Sequence, residues 1–187
     1  MNSFIIIRDN FKEKNMLIDM LKALIGNNIE IIENRDSFVI FHSYSNLEDI
    51  KSLLLSFCNE LMVNICAYLS FYDNYKAQLE INLIKKVFPI LPIGIHSFKE
   101  TLLLTLNKIN GKEALDLILQ SSAIDKEFIK GFAENDLNVS KASKNLYIHR
   151  NTINYKLDKA KELTGFDLRC FKDIYILYSL ILKDEVY

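Results

Sequence analysis

The side chains best suited to chemistry lie at residues 149–159, where guanidinium, amide, hydroxyl and ammonium groups recur at helical spacing. An arginine can form two hydrogen bonds with guanine, and an asparagine can do the same with adenine. Arg150 therefore suits a guanine edge, and Asn151 or Asn154 suits an adenine edge. Tyr155 can offer its hydroxyl to a phosphate or its ring to a thymine methyl group. These residue types predict a helix that reads bases in the major groove of DNA.

A second set of polar residues suits the DNA backbone rather than the bases. Lysine ammonium groups and small hydroxyls contact phosphates and so fix the register of a protein on the duplex. His149 lies at the corner before the basic helix, where it either caps the helix or touches a phosphate. Asp158 would repel phosphates, so we expect it to pair with a neighbouring lysine or to lie at the rim. In chain order, the residues predicted to contact DNA are Ser140, Lys141, Lys144, His149, Arg150, Asn151, Thr152, Asn154, Tyr155, Lys156 and Lys159.

Two helices joined by a tight corner would position these side chains. Residues 139–146 predict the first helix and residues 150–163 the second, with Tyr147 and Ile148 at the corner and Gly165 as the C-cap. Apolar residues recur where the helices would cross and on the inward face of the second helix: Ala142, Leu146, Ile148, Ile153, Leu157 and Ala160. This layout is that of a helix-turn-helix whose second helix enters the major groove.

Further helices on both sides complete a helical C-terminal domain. Apolar spacing predicts a helix over 124–134, and the first helix of the helix-turn-helix then takes Asn138 or Ser140 as its N-cap. A last helix over 171–183 is apolar around most of its circumference, so it needs more than one surface to pack on, and a second subunit is a candidate for one. One such domain contacts only a few base pairs, so we expect a homodimer on an inverted repeat of double-stranded DNA.

Charge is unevenly distributed along the 187 residues, whose formal net charge is −1. From Val139 to the end there are nine Lys or Arg against six Asp or Glu, whereas the rest of the chain has 14 against 18. Within residues 139–164 the balance is six against two. A basic patch on an otherwise acidic protein suits a polyanionic partner because it orients the encounter. The same charges also fit a solvated helix face that binds nothing.

The N-terminal half alternates short apolar strands with amphipathic helices. The predicted order is β-α-β-β-α-β-α, a split βαβ pattern of the ferredoxin type, in which a small antiparallel sheet carries helices on one face. The predicted strands are 4–8, 29–33, 37–43 and 64–72, and the predicted helices are 11–25, 46–60 and 75–88. Two further helices, 98–108 and 112–120, follow a break at the prolines and glycine of 89–94.

The predicted fold class is therefore α+β. A small α/β sheet domain precedes an all-α helix-turn-helix domain. The predicted domain limits are 1–95 for the α/β domain, 96–122 for a helical linker and 123–187 for the DNA-binding domain.

The helix-turn-helix also carries a distinctive order of residues. It contains His149-Arg150-Asn151-Thr152, then an aromatic residue, a base and a leucine, and later Leu163-Thr164-Gly165. Over residues 123–187 this order resembles the C-terminal domain of the PucR/CdaR family of bacterial transcriptional regulators. The resemblance implies a DNA-binding regulator. Members of that family usually have a separate N-terminal sensor domain, for which we expect no room here, so the effector stays unidentified.

The N-terminal half carries two segments of interest, Arg8–Lys12 at a strand end and Asn34–Ile40 in a hairpin. They faintly resemble the metal-binding strand end and the Gly-Gly-Asp-Glu-Phe hairpin of GGDEF nucleotidyl cyclases, and they imply a degenerate GGDEF-like domain. A phosphate-binding turn needs glycines for close backbone approach, but Asn34 and Arg35 stand there, and Ser37 replaces an acidic residue. Asp9 and Asp36 remain as candidate metal carboxylates or, alternatively, as ordinary loop carboxylates. We expect no cyclase activity.

Several classes of protein fit the sequence poorly. No apolar run approaches the ~18 residues that a membrane span needs, and the first 14 residues lack the apolar core of a signal peptide. Cys58, Cys66 and Cys170 stand in apolar settings, so we expect buried, reduced thiols and a cytoplasmic location.

Enzymatic function is also poorly supported. The sequence has no metal-ligand spacing, nucleophile elbow or Walker loop, and its five glycines offer few phosphate-binding loops. We expect no enzyme, no metal and no cofactor. The main alternative to a DNA-binding regulator is a metabolite-sensing or protein-interaction module that uses the helix-turn-helix only as a scaffold. A covered surface around Arg150 and Lys156 would favour that alternative.

Overall fold

The structure, a computed structural model, describes residues 3–44, 46–72, 76–119 and 124–186. It divides into two units, Met1–Thr105 and Leu106–Tyr187. The sheet lies in the first unit, and the elements described in the second are helices, so the predicted α+β class is confirmed. The predicted limit at 122/123 lies outside the described residues, and the predicted domain limits stay predictions.

The first unit follows the predicted order of strands and helices. Its elements are β1 (Ser3–Arg8), α1 (Lys14–Ile25), β2 (Glu30–Glu33), β3 (Ser37–His42), α2 (Leu47–Leu61), β4 (Cys66–Leu69), α3 (Lys76–Val87), a 3₁₀ turn (Phe88–Ile90), β5 (Gly94–His96) and α4 (Phe98–Thr105). The order from β1 to α3 confirms the split βαβ pattern. The predicted strand over 64–72 was too long, because only Cys66–Leu69 is a strand.

The sheet has the strand order β2-β3-β1-β4-β5. β1 pairs antiparallel with β3 and with β4, so that Ile5 lies opposite both Ile40 and Leu69. β5 pairs parallel with β4. The prediction of a purely antiparallel sheet was therefore wrong, because the strand Gly94–His96 is too short to show a period and directly follows the break around Pro89 and Pro92.

Helices cover both faces of this sheet, not one face as predicted. On one face α1 and α2 pack on a core that includes Ile5, Ile7 and Phe38. On the opposite face Phe4 stacks against Tyr68, and α3 packs against β1. The run Phe-Ile-Ile-Ile in β1 has no polar alternation because both of its faces are buried.

A buried carboxylate lies on the α3 face. Glu80 of α3 is fully buried and accepts a hydrogen bond from the Tyr68 hydroxyl. It also accepts hydrogen bonds from the backbone N–H groups of Phe71, at 2.6 Å, and of Tyr72, at 3.1 Å. Burial raises the pKa of Glu80 to about 7, and these hydrogen bonds oppose the rise. The network joins α3 to β4 and to the chain that follows it.

The second unit consists of helices around an apolar core. Its helices are α5 (Gly111–Leu119), α6 (Lys126–Glu134), α7 (Val139–Asn145), α8 (Arg150–Thr164) and α9 (Phe171–Val186). α9 packs against α5 and α6. Ion pairs join α6 to α9, with Lys126 Nζ 2.7 Å from Asp184 Oδ2 and Lys130 Nζ 2.7 Å from Glu185 Oε2. These ion pairs join α9 to α6, and α6 in turn packs against α7.

The three cysteines have different surroundings. Cys66 is buried and Cys58 is half-buried, whereas Cys170 is exposed. The expectation of a buried thiol was therefore wrong for Cys170. This residue ends the loop between α8 and α9, and such loops run over the protein surface.

Candidate nucleic-acid interface

The first helix of the helix-turn-helix begins at a side-chain cap. Asn138 Oδ1 accepts hydrogen bonds from the backbone N–H groups of Ser140, at 2.9 Å, and Lys141, at 3.0 Å. Of the two predicted N-caps, Asn138 is the one observed. Ser140 is exposed in the first turn of α7, which leaves its hydroxyl at the surface.

The corner between α7 and α8 is tight. Tyr147 has φ of 55° and is 96% exposed. The Ile148 N–H then donates to the Ser143 carbonyl at 3.2 Å, and His149 Nδ1 accepts from the Asn151 N–H at 3.2 Å. His149 therefore caps α8, which was one of its two predicted roles. A ring nitrogen that accepts carries no proton, so a neutral His149 would hold its proton on Nε2.

The inward faces of α7 and α8 are apolar, as predicted. Ala142, Ile153 and Leu157 are fully buried. At Gly131 of α6, a Cβ atom would lie 2.5 Å from Leu146 Cδ2, so α6 approaches the end of α7 closely. At the other end of α8, Gly165 adopts a left-handed φ of 74° and caps the helix. Packing on one face and a cap at each end hold α8 in place.

The outward face of α8 carries the predicted base-reading residues. Arg150, Asn151, Asn154 and Tyr155 are exposed, with Tyr155 at 61%, and Thr152 is also exposed. Within the described part of the chain, the side chains of the first four form no hydrogen bond or ion pair. They occupy positions i, i+1, i+4 and i+5 of one helix, which places them side by side. Their hydrogen-bonding groups are thus available to an external partner.

The lysines predicted to hold phosphates differ in their surroundings. Lys141 Nζ lies 2.6 Å from Asp136 Oδ2, and Lys159 Nζ lies 2.7 Å from Glu162 Oε2. These hydrogen bonds lower the pKa of Asp136 and raise the pKa of Lys159. Ion pairs at a solvated surface contribute little to stability, so a phosphate can compete for either lysine.

Lys144 and Lys156 form the two extremes of this set. Lys144 is exposed and forms no ion pair with any residue that the structure describes. Lys156 is only 25% exposed, because its Nζ lies 3.3 Å from Asp125 Oδ2 and 4.9 Å from the centre of the Phe128 ring. Lys156 thus holds α8 against α6, a contact that its predicted phosphate role did not include.

Asp158 has a partner that the sequence did not suggest. Its Oδ1 lies 2.8 Å from Arg169 Nη1, so the first of its two predicted outcomes, pairing with a neighbouring lysine, was wrong, and the second, a place at the rim, stays a prediction. Arg169 belongs to the loop between α8 and α9, where no helical period relates it to α8. The only sequence signal was the unexplained acid on the outward face. Tyr147 was likewise predicted only as part of the corner.

One of the two candidate metal carboxylates of the first unit, Asp9, has an ion-pair partner. Lys14 Nζ lies 2.8 Å from Asp9 Oδ2 and 3.1 Å from Glu33 Oε1. Asp36 lies in the β2–β3 turn, where its carbonyl accepts a hydrogen bond from the Asp9 N–H at 3.0 Å. Among the described residues, no three His, Cys, Asp or Glu side chains form a group that could hold a metal ion. The GGDEF-like resemblance stays a prediction.

The described part of the chain contains no helix with the length and apolar character required to cross a bilayer.

Comparison with known proteins identifies the helical region. Residues 127–182 match the PucR C-terminal helix-turn-helix domain, which confirms the resemblance for that region. The carbohydrate diacid regulator of Escherichia coli (strain K12) is 51% identical over 43 residues, which are 23% of this chain and 11% of that protein. The uncharacterized protein YxkF of Bacillus subtilis (strain 168) is 31% identical over 120 residues, which are 64% of this chain and 38% of that protein. The chain thus spans well under half the length of either relative.

A solved structure also aligns with the chain. It is the regulator of polyketide synthase expression from Bifidobacterium adolescentis, with a TM-score of 0.48 and 14% sequence identity. The alignment covers 98% of this chain and 79% of that chain.

Proposed function

Because residues 127–182 form a PucR-type C-terminal helix-turn-helix domain, we propose that this chain is a sequence-specific DNA-binding transcriptional regulator. The observation that carries the proposal is the exposed row of Arg150, Asn151, Asn154 and Tyr155 on a helix that is capped and packed. A rigid element that presents unused donors and acceptors at base-reading spacing is what direct readout requires.

In this proposal α8 lies in the major groove with its N-terminal end deepest. Arg150 pairs with guanine, and Asn151 or Asn154 pairs with adenine. Tyr155 contacts a phosphate or a thymine methyl group. Thr152 lies on the flank of the same helix, where its hydroxyl reaches the groove wall.

The DNA backbone is held by the start of α7 and the basic side chains around α8. Ser140, Lys141 and Lys144 contact phosphates on one side, with Lys156 and Lys159 on α8. His149 adds its Nε2–H as a donor, because Nδ1 is used by the helix cap. Exposed lysines give up weak ion pairs to do this, whereas Lys156 must leave both Asp125 and Phe128.

The functional unit in this proposal is a homodimer on an inverted repeat. One recognition helix contacts too few base pairs for useful specificity, and two helices one or more turns apart multiply the site length. The exposed apolar part of α9 supports a protein partner: Phe171 is 74% exposed and stacks on Tyr175. The proposal includes a cytoplasmic location and no catalytic activity, and it leaves the effector unidentified.

The test is selection of bound duplexes from a random library, followed by fluorescence anisotropy against KCl concentration. We expect a preferred sequence. We also expect the logarithm of the binding constant to fall against the logarithm of KCl concentration with a slope of roughly −4 to −5 per subunit, from about four to six phosphate contacts. A double variant, Arg150→Ala with Asn154→Ala, should lose the preference for the selected duplex and keep most of the salt dependence. Absence of binding at low salt would contradict the proposal and favour the scaffold alternative.

A further inference from the structure

Arg169 lies beside the outward face of α8, although it belongs to another segment of the chain. Arg150, Asn154 and Asp158 follow one another at four-residue spacing along the outward face of α8. Arg169 Nη1 lies 2.8 Å from Asp158 Oδ1, and Arg169 Nη2 lies 3.5 Å from the Asn154 carbonyl oxygen. The guanidinium group therefore adds one positive charge to the outward face of α8.

The loop that carries Arg169 is held by its own hydrogen bonds. Asp167 Oδ1 accepts from the Arg169 N–H at 3.1 Å, and the Asp167 carbonyl accepts from the Cys170 N–H at 2.8 Å. The Asp167 N–H donates to Asp173 Oδ2 at 2.8 Å. Lys161 Nζ lies 3.0 Å from Asp167 Oδ2, which ties the loop back to α8. The position of Arg169 relative to α8 is thus fixed before any ligand binds.

The guanidinium has donors to spare. Arginine carries five N–H donors in a planar fork, and the two contacts to Asp158 and Asn154 use only part of that set. The side chain is 40% exposed. An arginine with this fork geometry can bind a phosphate while it keeps a carboxylate partner. Asp158, which alone would repel the duplex, instead aligns a cation toward it.

We propose that Arg169 is a DNA-contacting residue of this domain, in which the Asp158 carboxylate aligns the guanidinium to bind a backbone phosphate beside the α8 groove. The proposal rests on the proposed DNA-binding function. It adds a phosphate contact from the α8–α9 loop to those from α7 and α8, and it gives Asp158 the role of a positioning residue.

The test compares salt slopes of the full-length protein on a duplex selected by the wild type. Arg169→Ala should make the log–log slope less negative by about 0.9 per subunit and should weaken binding to all sequences alike. Arg169→Gln can keep a hydrogen bond to Asp158 but has no charge, and it should give the same change. Lys112→Ala on α5 removes an equal charge outside the helix-turn-helix and should leave the slope unchanged.

A second background separates contact from charge neutralisation. If Arg169 only neutralises Asp158, then Arg169→Gln has no effect on the slope once Asp158→Asn is present. If Arg169 contacts a phosphate, Arg169→Gln must make the log–log salt slope less negative by about 0.9 in the Asp158→Asn protein as well. An unchanged slope there overturns the proposal. If the wild type does not bind DNA at all, the proposed function fails first, and the two failures are therefore distinguishable.

Discussion

Glu80 of the first unit and Arg150 of the second illustrate two opposite uses of a polar side chain. Glu80 is fully buried and accepts three hydrogen bonds from its own unit. Arg150 is exposed, and the described residues offer its side chain no hydrogen bond or ion pair. A buried carboxylate without partners would be costly, so Glu80 is tied to the fold. An exposed cation without partners contributes little to the fold and is available for binding.

The helix-turn-helix itself contains intermediate cases. Lys141 and Lys159 share their charge with exposed carboxylates, whereas Lys156 contacts both a carboxylate and an aromatic ring. A basic residue of the helix-turn-helix can therefore stabilise the domain, remain available to an external partner, or do both. Internal partners, not residue type, distinguish these roles.

The largest expected effect comes from removing a buried aromatic ring in the second unit. Phe132 of α6 is fully buried and stacks on Phe128 with ring centres 6.3 Å apart. Phe132→Ala should lower the free energy of unfolding by about 3–5 kcal/mol, because a cavity replaces the ring. Urea denaturation measures this loss. Tyr155→Ala removes an aromatic ring from an exposed position on α8 and should cost much less. An equal fall in the free energy of unfolding for both variants would show that exposure does not predict the role of an aromatic residue here.

The next effect concerns the pH dependence of stability and involves Glu80. In the unfolded chain this carboxyl releases its proton near pH 4.5, whereas burial raises its folded pKa to about 7. Between these values the unfolded state binds fewer protons, so the free energy of unfolding falls as pH rises, by about 3 kcal/mol in total for this group. Glu80→Gln should remove that part of the slope.

Urea denaturation at several pH values between about 4.5 and 8 measures the difference between wild type and Glu80→Gln. The matched control is Asp136→Asn. Asp136 is exposed, and its hydrogen bond with Lys141 lowers its pKa from 3.8. Its stabilising contribution is present above its unfolded pKa of 3.8 and is lost only as pH falls below that value. The control should therefore leave the pH dependence of stability between pH 4.5 and 8 unchanged. Parallel curves for wild type and Glu80→Gln would contradict the raised pKa.

A smaller effect, confined to binding, is expected at Arg150. Arg150→Ala should reduce discrimination at one base pair by roughly 1–3 kcal/mol, because the proposed bidentate contact with guanine is lost. The Arg150→Ala protein should keep the melting temperature of the wild type. Lys144→Ala is the matched control, since it should weaken all duplexes alike and make the salt slope less negative by about 0.9. Anisotropy titrations on single-base variants of the selected duplex measure both. A uniform loss for Arg150→Ala would remove the distinction between reading and anchoring residues.

The smallest effect is expected at the cap of α7. Asn138→Ala leaves the N–H groups of Ser140 and Lys141 without their side-chain acceptor and should cost about 1 kcal/mol of stability. Asn138→Asp keeps an acceptor and should cost little. Thermal unfolding of the three proteins measures the difference. Equal melting temperatures for all three would mean that solvent replaces the cap at no cost.

Local patterns in the sequence predict much of this fold. The order from β1 to α3 and the inward residues of α8 follow from apolar periods of two and 3.6 residues. β5 was missed because three residues are too few to show a period, and its parallel pairing with β4 is a long-range property. The second covered face of the sheet was foreseeable from the unbroken apolar run in β1.

The candidate site shows the same division between local and long-range information. The exposed positions of Arg150, Asn151, Asn154 and Tyr155 agree with the helical period, although their contacts with DNA stay predictions. The choice of Asn138 over Ser140 as the cap depends on backbone geometry between α6 and α7, where Asn138 adopts an extended conformation. The pairing of Asp158 with Arg169 depends on a loop path that no periodicity encodes. Partner choice is therefore what the sequence alone left undetermined.

The narrow gap at Gly131 bears on protein engineering. A designer who grafts another recognition helix onto this scaffold would copy residues 146–164 and leave α6 unchanged. Leu146 fills the space next to Gly131. In a chimaera, a bulkier residue at either position would therefore tilt the grafted segment or prevent it from packing on α6. Positions 131 and 146 should therefore be transplanted as a matched pair, even though neither belongs to the outward row of α8.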